Sequence, residues 1–367
     1  MKNTEKDYRR IVFIYGIFIT VCIQITSLSC YLRHTVFLFP KMIIDDRTME
    51  IHTSTEYRYP DRFVKTLSSY TDFRRMYQHE NSTAIPGLEY TNFGNSVTNQ
   101  MVPQGICIAK DYMLITAYDK DREHHSVIYV LSDRTRGKRE LLTTIILPDK
   151  NHVGGITFDG EYIWIAKSSS GYCSGISYET IQEAVDAGEK CYTLSNYEEN
   201  VYCGVTASFL TYDKEYLWIG TFQTKGKGTL ACYRIMKGAS ERYLQKEDTI
   251  EIPSYAQGVS FLETAGRTYM ILTASRGRHR DSNIYFYEMQ KKKNEICLEE
   301  KGKYKFPPMA EEVTSDGEYT YFLFESAATC YSTKKYKKCT YPVDRICAVS
   351  NQEVLTELLE YNHSKGE

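Results

Sequence analysis

No charge of either sign dominates this sequence: its 367 residues carry 45 basic and 47 acidic side chains, a formal net charge of -2. The basic excess that lets a protein track a phosphate backbone is missing, so nucleic acid is not an expected partner. Familiar chemistry-bearing motifs are missing too. There is no glycine-rich phosphate loop, no HExxH and no GxSxG, which argues against P-loop nucleotide hydrolysis, zincin proteolysis and α/β-hydrolase chemistry. Among 11 cysteines there is no CxxC pair and no His/Cys zinc spacing. Cys22 and Cys30 belong to the N-terminal run, and the nine others are an odd number for a disulfide set. Cys330 with Cys339, or Cys191 with Cys203, lie close enough in sequence to pair; the alternative is that several are small buried hydrophobes.

What is abundant is tyrosine, 32 residues within an aromatic content of 13%. Tyrosine suits a pleated, half-buried surface with a wet edge, so the count favours β structure. The N-terminus is different. Lys2, Lys6, Arg9 and Arg10 precede an uncharged run from Ile11 to Leu32, long enough for the roughly 20 apolar residues of a spanning helix. The basic flank predicts a cytoplasmic residue 1–10 segment, a single-pass signal-anchor over 11–32 and an extracytoplasmic remainder at the cell membrane. Cleavage near Ser27-Leu28-Ser29, or lipidation of Cys30, are the alternative fates of that run. Asn81-Ser82-Thr83 and Asn362-His363-Ser364 fit the glycosylation pattern.

Self-similarity points to the fold class. Five segments share a short strand, a tight turn and an aromatic-rich strand, with aligned tyrosines at 112, 162, 216, 269 and 319. A period near 50 residues built from strands is the signature of β-propeller blades. The expectation is therefore an all-β chain with a five-bladed propeller over 85–350, six blades being the alternative. Turns such as Asp159-Gly160 and Asp316-Gly317 supply the positive φ that tight hairpins need. The last blade has no fourth strand of its own, so a segment between Arg47 and Tyr90 is predicted to supply it and hide an open edge. Residues 33–84 read as a stem plus that closing strand. A helix over Tyr178 to Ala187, capped by Ser177, is an insert in the second blade. The tail, 351–367, reads as polar and peripheral.

Propeller ligands often bind where the innermost strands converge. Aligned on the tyrosines, Gln104, Gly154, Ser208, Gln257 and Glu311 share one position, and Gly105, Gly155, Phe209, Gly258 and Glu312 the next. The first set makes a polar ring; its bland reading is a water-filled structural channel. Glu312 stands where three other blades have glycine, and a carboxylate near a crowded axis should have a raised pKa unless paired. Glu311, Glu312 and His152 are thus the acid/base candidates, and Gln104, His152, Ser208, Gln257, Glu311, Glu312, Arg276 and Glu325 the ligand-binding ones. Ser168 falls on the same face. The Arg276-to-Arg280 loop could hold an anion. Asp119, Asp121, Glu123, His124 and His125 could ligate a metal, but their spacing matches no metal loop and reads as a solvated loop. No cofactor is predicted, a divalent metal being the one open possibility.

The segments Val102-Pro103-Gln104-Gly105-Ile106 and His152-Val153-Gly154-Gly155-Ile156, with Phe324-Glu325-Ser326, resemble exported bacterial β-propellers of the lactonase-like and quinoprotein-like kind, including membrane-anchored Gram-positive members. Against glutaminyl cyclases, five-bladed propellers with a Phe-Thr-Gln-Gly-Leu element, Pro103-Gln104-Gly105-Ile106 matches only the Gln-Gly core. Gluconolactonase-type propellers hold a central metal with Glu, Asn and Asp, and here Glu311 and Glu312 have no Asn or Asp beside them. An anchor, a stem and a propeller without a complete catalytic set point to a cell-surface binding propeller for an extracellular small molecule, glycan, peptide or protein. The alternative is a hydrolase, lyase or cyclase using the axial carboxylates, so whether the chain is an enzyme stays open; fold alone does not fix function.

Overall fold

The repeat becomes five antiparallel sheets whose innermost strands meet in a ring. The computed structural model describes residues 52–133, 139–168, 170–239, 241–264, 266–292, 295–332 and 338–365. From residue 52 the chain forms α1 (Pro60–Ser69), α2 (Thr71–Met76), β1 (Tyr77–Ala84) and a small hairpin, β2 (Thr91–Asn92) with β3 (Val97–Thr98). The first blade is β4 (Met101–Ala109), β5 (Tyr112–Asp119), β6 (Val127–Ser132) and β7 (Leu141–Ile146). The second is β8 (Val153–Phe158), β9 (Tyr162–Lys167) and β10 (Tyr172–Ser177). It is interrupted by α3 (Tyr178–Asp186) and β11 (Cys191–Thr193) and completed by β12 (Glu199–Tyr202). The third is β13 (Phe209–Asp213), β14 (Tyr216–Thr221), β15 (Gly228–Lys237) and β16 (Arg242–Ile252). The fourth is β17 (Ala256–Thr264), β18 (Arg267–Ala274), β19 (Ser282–Lys292) and β20 (Glu295–Phe306). The fifth is β21 (Ala310–Ser315) and β22 (Tyr319–Phe324), then the short α4 (Thr329–Ser332) and β23 (Arg345–Ser350). Strands β4, β8, β13, β17 and β21 contact one another in a closed ring.

The fifth blade takes its outer strand from β1, which pairs antiparallel with β23. An N-terminal strand thereby completes the last blade's sheet, and the propeller includes 77–84 as well as the repeats. Ser82 Oγ accepts from Ala348 N at 3.0 Å where this pairing bulges.

The turn chemistry repeats with the blades. Gly160 (φ +100°) and Gly317 (φ +90°) take the left-handed conformation at the innermost hairpins, where a side chain would be strained. Asp159 Oδ1 accepts from Tyr162 N at 2.6 Å and its Oδ2 from Trp164 Nε1 at 2.7 Å. Asp316 repeats this with Tyr319 N at 2.7 Å and Tyr321 OH at 3.1 Å. One aspartate thus closes the turn and pins the second strand's inward aromatic.

Ser177 caps α3 by accepting from Thr180 N at 3.2 Å. After α3 the chain crosses to the first blade, where β11 runs parallel to β7 as a fifth strand. That crossing separates Cys191 from Cys203. The nine described cysteines are all free, so neither Cys330 with Cys339 nor Cys191 with Cys203 is joined. Cys191 Sγ donates to Asn92 O at 3.0 Å, while the thiol beside Cys203 is that of Cys173 on β10. The tail also departs from expectation. It forms α5 (Asn351–Lys365), and Val354 and Leu358 are buried with Phe306, Phe322 and Val349. The spacing of four puts both on one helix face, and that face has a sheet to cover. The run expected to span a membrane, 11–32, lies outside the described residues; among those, no helix is long and apolar enough to cross one.

Candidate functional site

In four blades the innermost pairing slips, between Pro103 and Gly105, Val153 and Gly155, Ala256 and Gly258, and Ala310 and Val313. The residues left unpaired are Gln104, Gly154, Gln257 and the doublet Glu311-Glu312. A bulge adds a residue and re-aims its side chain. In the third blade Ser208 precedes β13, its N–H donating to Gly220 O at 2.9 Å. Gln104, Gly154, Ser208, Gln257 and Glu311 all line one polar pocket of about 680 Å³ at the mouth of the ring. Two residues before the bulges of the fourth and fifth blades, Tyr255 (φ +64°) and Met309 (φ +66°) hold left-handed backbone. Such strain in a non-glycine residue gathers at functional sites.

Met309 places one half of an acid pair. Its carbonyl accepts from Glu325 N at 3.1 Å, which sets Glu325 beside Glu311. Glu311 is 4% exposed. Burial raises its pKa well above the ordinary carboxylate range, and the charge of Glu325 and a hydrogen bond between the two carboxyls add to the rise. Glu325, recessed in the wall but open to the pocket, is pushed up to about 7 by burial, against the pull of Lys120, Glu311 and Gln104. Two carboxyls this close hold one proton between them near neutrality. The ring glutamines fix the pair: Gln257 Nε2 donates to Glu311 Oε1 at 3.1 Å, and Gln104 Nε2 to Glu325 Oε2 at 3.2 Å.

Beside the acids lies a basic and aromatic wall, close enough for Lys120 and Tyr331 to act on Glu325. Lys120 Nζ donates to the phenol oxygens of Tyr118 at 3.2 Å and Tyr331 at 3.1 Å. The Tyr331 phenol is raised by burial and by Glu325. The His152 ring stacks on Tyr118 with centroids 4.4 Å apart, and its Nδ1 lies 3.2 Å from Ser168 Oγ. Burial, then Lys120 and Arg122, lower His152 to about 4, so the imidazole is neutral at physiological pH. Arg122, Thr206 and Phe222 complete the lining.

Glu312 is placed one layer below and does not line the pocket. It is 1% exposed. Its Oε2 accepts from Ile106 N at 3.0 Å and Ile156 N at 2.9 Å, and its Oε1 from Leu210 N at 3.4 Å. Burial raises its pKa and these three amides oppose the rise. The side chain ties the fifth blade to the first three across the axis. The glycines make room for it: a Cβ on Gly105 would lie 2.9 Å from Oε2, and one on Gly258 2.5 Å from its Cα.

Arg276 lies outside the pocket lining, exposed, with its guanidinium 4.9 Å above the Tyr255 ring. In the loop read for metal ligation, Asp119 is buried and organises its own turn. Its Oδ1 accepts from Asp121 N at 2.9 Å, and its Oδ2 from His124 N at 3.0 Å and lies 2.8 Å from His124 Nδ1. His125 Nδ1 lies 2.6 Å from Leu147 O. Among the described residues no cluster of three His, Cys, Asp or Glu side chains could hold a metal ion.

Sequence reasoning passed over Tyr118, Lys120, Arg122, Thr206, Phe222 and Tyr331. A signal for two of them was present. Six residues beyond each aligned tyrosine stand Tyr118, Ser168, Phe222, Ser275 and Glu325, and of these Tyr118, Ser168, Phe222 and Glu325 line the pocket. Strand ends at one height around an axis converge as the bulges do.

No family model matches the chain, and no curated protein matches it in sequence. Among solved structures, the Myxococcus xanthus glutaminyl cyclase aligns with a TM-score of 0.40 at 10% identity, covering 69% of this chain and 91% of that one. The periplasmic gluconolactonase of Pseudomonas aeruginosa aligns at 0.35 and 11% identity over 62% of this chain and 64% of that one. A nidogen/laminin complex aligns at 0.35 and 9% identity over 68% and 84%. Likeness at this level carries no argument about activity.

Proposed function

We propose that the chain is an extracytoplasmic binding propeller that takes a small polar molecule in the axial mouth. The observation that carries this reading is the ring of Gln104, Ser208, Gln257 and Glu311 converging on one pocket, with the Glu311–Glu325 pair held by the two glutamines. A few convergent polar groups, strained backbone and perturbed carboxyls around one concave pocket are the marks of a ligand site. The extracytoplasmic placement and the membrane anchor rest on the residue 11–32 run.

A second reading, acid/base catalysis by a hydrolase, lyase or cyclase, is favoured by one feature. A carboxyl poised at about 7 and open to the pocket, as Glu325 is, has the proton affinity a general acid or base needs. Glu312, bound to three amides beneath the floor, is outside reach of a pocket ligand; its place in this reading passes to Glu325.

The test is a thermal-shift screen of the full-length protein against sugars, peptides, nucleotides and divalent metals. A ligand at 100 times its dissociation constant stabilises by about 2.7 kcal/mol. A hit abolished in Glu311→Gln supports the mouth as the site. Consumption of the hit over time, lost in Glu325→Gln with binding retained, would move the conclusion to the enzyme reading. Hits indifferent to both substitutions would overturn both readings.

A further inference from the structure

We propose that the mouth recognises its ligand by an anionic group, a carboxylate or phosphate, seated between Lys120 and Arg122 on the loop that leads out of β5. The inference rests on the mouth being a ligand site and names the chemistry that site prefers.

Two observations carry it. The first is that the mouth's cations are not paired. Elsewhere Arg139 pairs with Asp133, Arg242 with Glu199 and Lys301 with Glu288, while Arg58 and Arg62 meet only carbonyl and hydroxyl oxygens. Lys120 and Arg122 both line the pocket from exposed positions and neither touches an acid among the described residues, Glu325 acting on Lys120 only from beyond contact. Lys120 spends two of its donors on phenols, and Arg122 Nη1 donates to Lys150 O at 3.0 Å. A guanidinium has five donors in a fork that matches a carboxylate or phosphate edge.

The second is that the loop is built at a cost to hold them there. Arg122 has φ +57°, left-handed backbone in a residue with a long side chain. Such a conformation persists when its surroundings fix it. Here buried Asp119 does so: its carbonyl accepts from Arg122 N at 3.1 Å, and its carboxylate accepts from the amides of Asp121 and His124. The acidic loop residue thus serves as an anchor and the two basic ones face the mouth. Gln104 and Gln257 hold the acid pair, and Glu325 is near enough to feel the charge of Lys120. An anionic head at the rim therefore leaves the ligand's hydroxyl or amide groups to the ring.

The experiment uses inorganic phosphate and citrate as probes on the full-length protein. Melting temperature is followed against probe concentration at constant ionic strength, with chloride as the reference salt. Wild type should be stabilised by a probe in the millimolar range and not by chloride. In Lys120→Met the half-maximal concentration should rise about tenfold, the worth of one charge-assisted hydrogen bond. Arg122→Gly guards against a trivial folding defect. Glycine accepts this backbone, so the variant should melt no lower than wild type, yet lose the response by a similar factor. Arg276→Gln, outside the pocket, should respond as wild type. No stabilisation by either probe, or a response that survives in Lys120→Met and Arg122→Gly, overturns the inference. A neutral molecule that binds, is lost in Glu311→Gln and ignores Lys120→Met would overturn it while leaving the mouth intact as a binding site.

Discussion

A Cβ placed on Gly155 would lie 2.7 Å from Glu312 Oε1, so the glycine of the second blade and the glutamate of the fifth are two parts of one fit. The carboxylate occupies the space that the glycine leaves and receives the amides of three neighbouring blades. Glu312→Gln keeps the volume but turns an NH2 donor toward a backbone N–H donor. With the amide oxygen kept on Ile106 N and Ile156 N, the NH2 faces Leu210 N, and the fold should lose about 1–3 kcal/mol, the cost of a buried unsatisfied donor. Chemical denaturation reads this as a lower midpoint at unchanged slope. An unaltered midpoint would remove Glu312 from its structural role.

Gly155→Ala tests the other side of the same fit. The added methyl meets Glu312 Oε1 and, at 2.7 Å, Leu210 N. Overpacking of this kind costs about 1–3 kcal/mol. The same substitution at Gly160, where a Cβ would meet nothing within 4 Å, penalises only the left-handed backbone. Comparing the two melting temperatures separates crowding at the axis from conformational preference.

The acid pair gives stability a pH dependence whose sign can be stated. Glu325 moves from an ordinary 4.5 to about 7 on folding, so between those values the folded chain holds more protons there than the unfolded one. Its contribution is complete below about 4.5 and is lost as pH rises through about 7. His152 moves from 6.5 down to about 4 and acts oppositely, its contribution lost as pH falls below 6.5. Above 6.5 His152 is neutral in both states, and the slope belongs to Glu325 and Glu311. Lys120, Arg122, Tyr118, Tyr331 and, beneath, Glu312 are the other charged or titratable groups around the pair. The stability of wild type minus that of Glu325→Gln should therefore fall between pH 6.5 and 7.5. A flat or rising difference contradicts the assignment.

Closure of the ring depends on β1. Strand β23 pairs with β22 on one side and β1 on the other. A fragment of residues 52–367 keeps that pairing and should remain monodisperse in size-exclusion chromatography. A fragment of residues 85–367 exposes the β23 edge and should associate or aggregate. Equal behaviour of the two would show that β1 is dispensable.

Much of the fold was legible because propeller blades repeat. The aligned tyrosines and the Asp-Gly turns recur at one spacing, and the ring of Gln104, Ser208, Gln257 and Glu311 followed from that alignment. What was not legible lies where the repeat breaks. The crossing of β11 to the first blade, the thiol neighbours of Cys203 and the burial of Val354 and Leu358 depend on contacts between blades that no local pattern encodes. In the site, Glu311 and Glu312 are adjacent in sequence and differ in role. Only the bulge between Ala310 and Val313 explains why one faces the pocket and the other the axis. Lys120 and Arg122 were hidden in a loop whose acidic residues suggested a metal, until Asp119 emerged as the loop's internal anchor.

A proton shared by Glu311 and Glu325 near neutral pH underlies the reading of the mouth. Infrared spectroscopy of the full-length protein across a pH titration tests it most directly. A protonated-carboxyl band should lose intensity as the pH rises through about 7, and that loss should be missing in Glu325→Gln. A spectrum with no such band at pH 6, or a loss unchanged by Glu325→Gln, would contradict it.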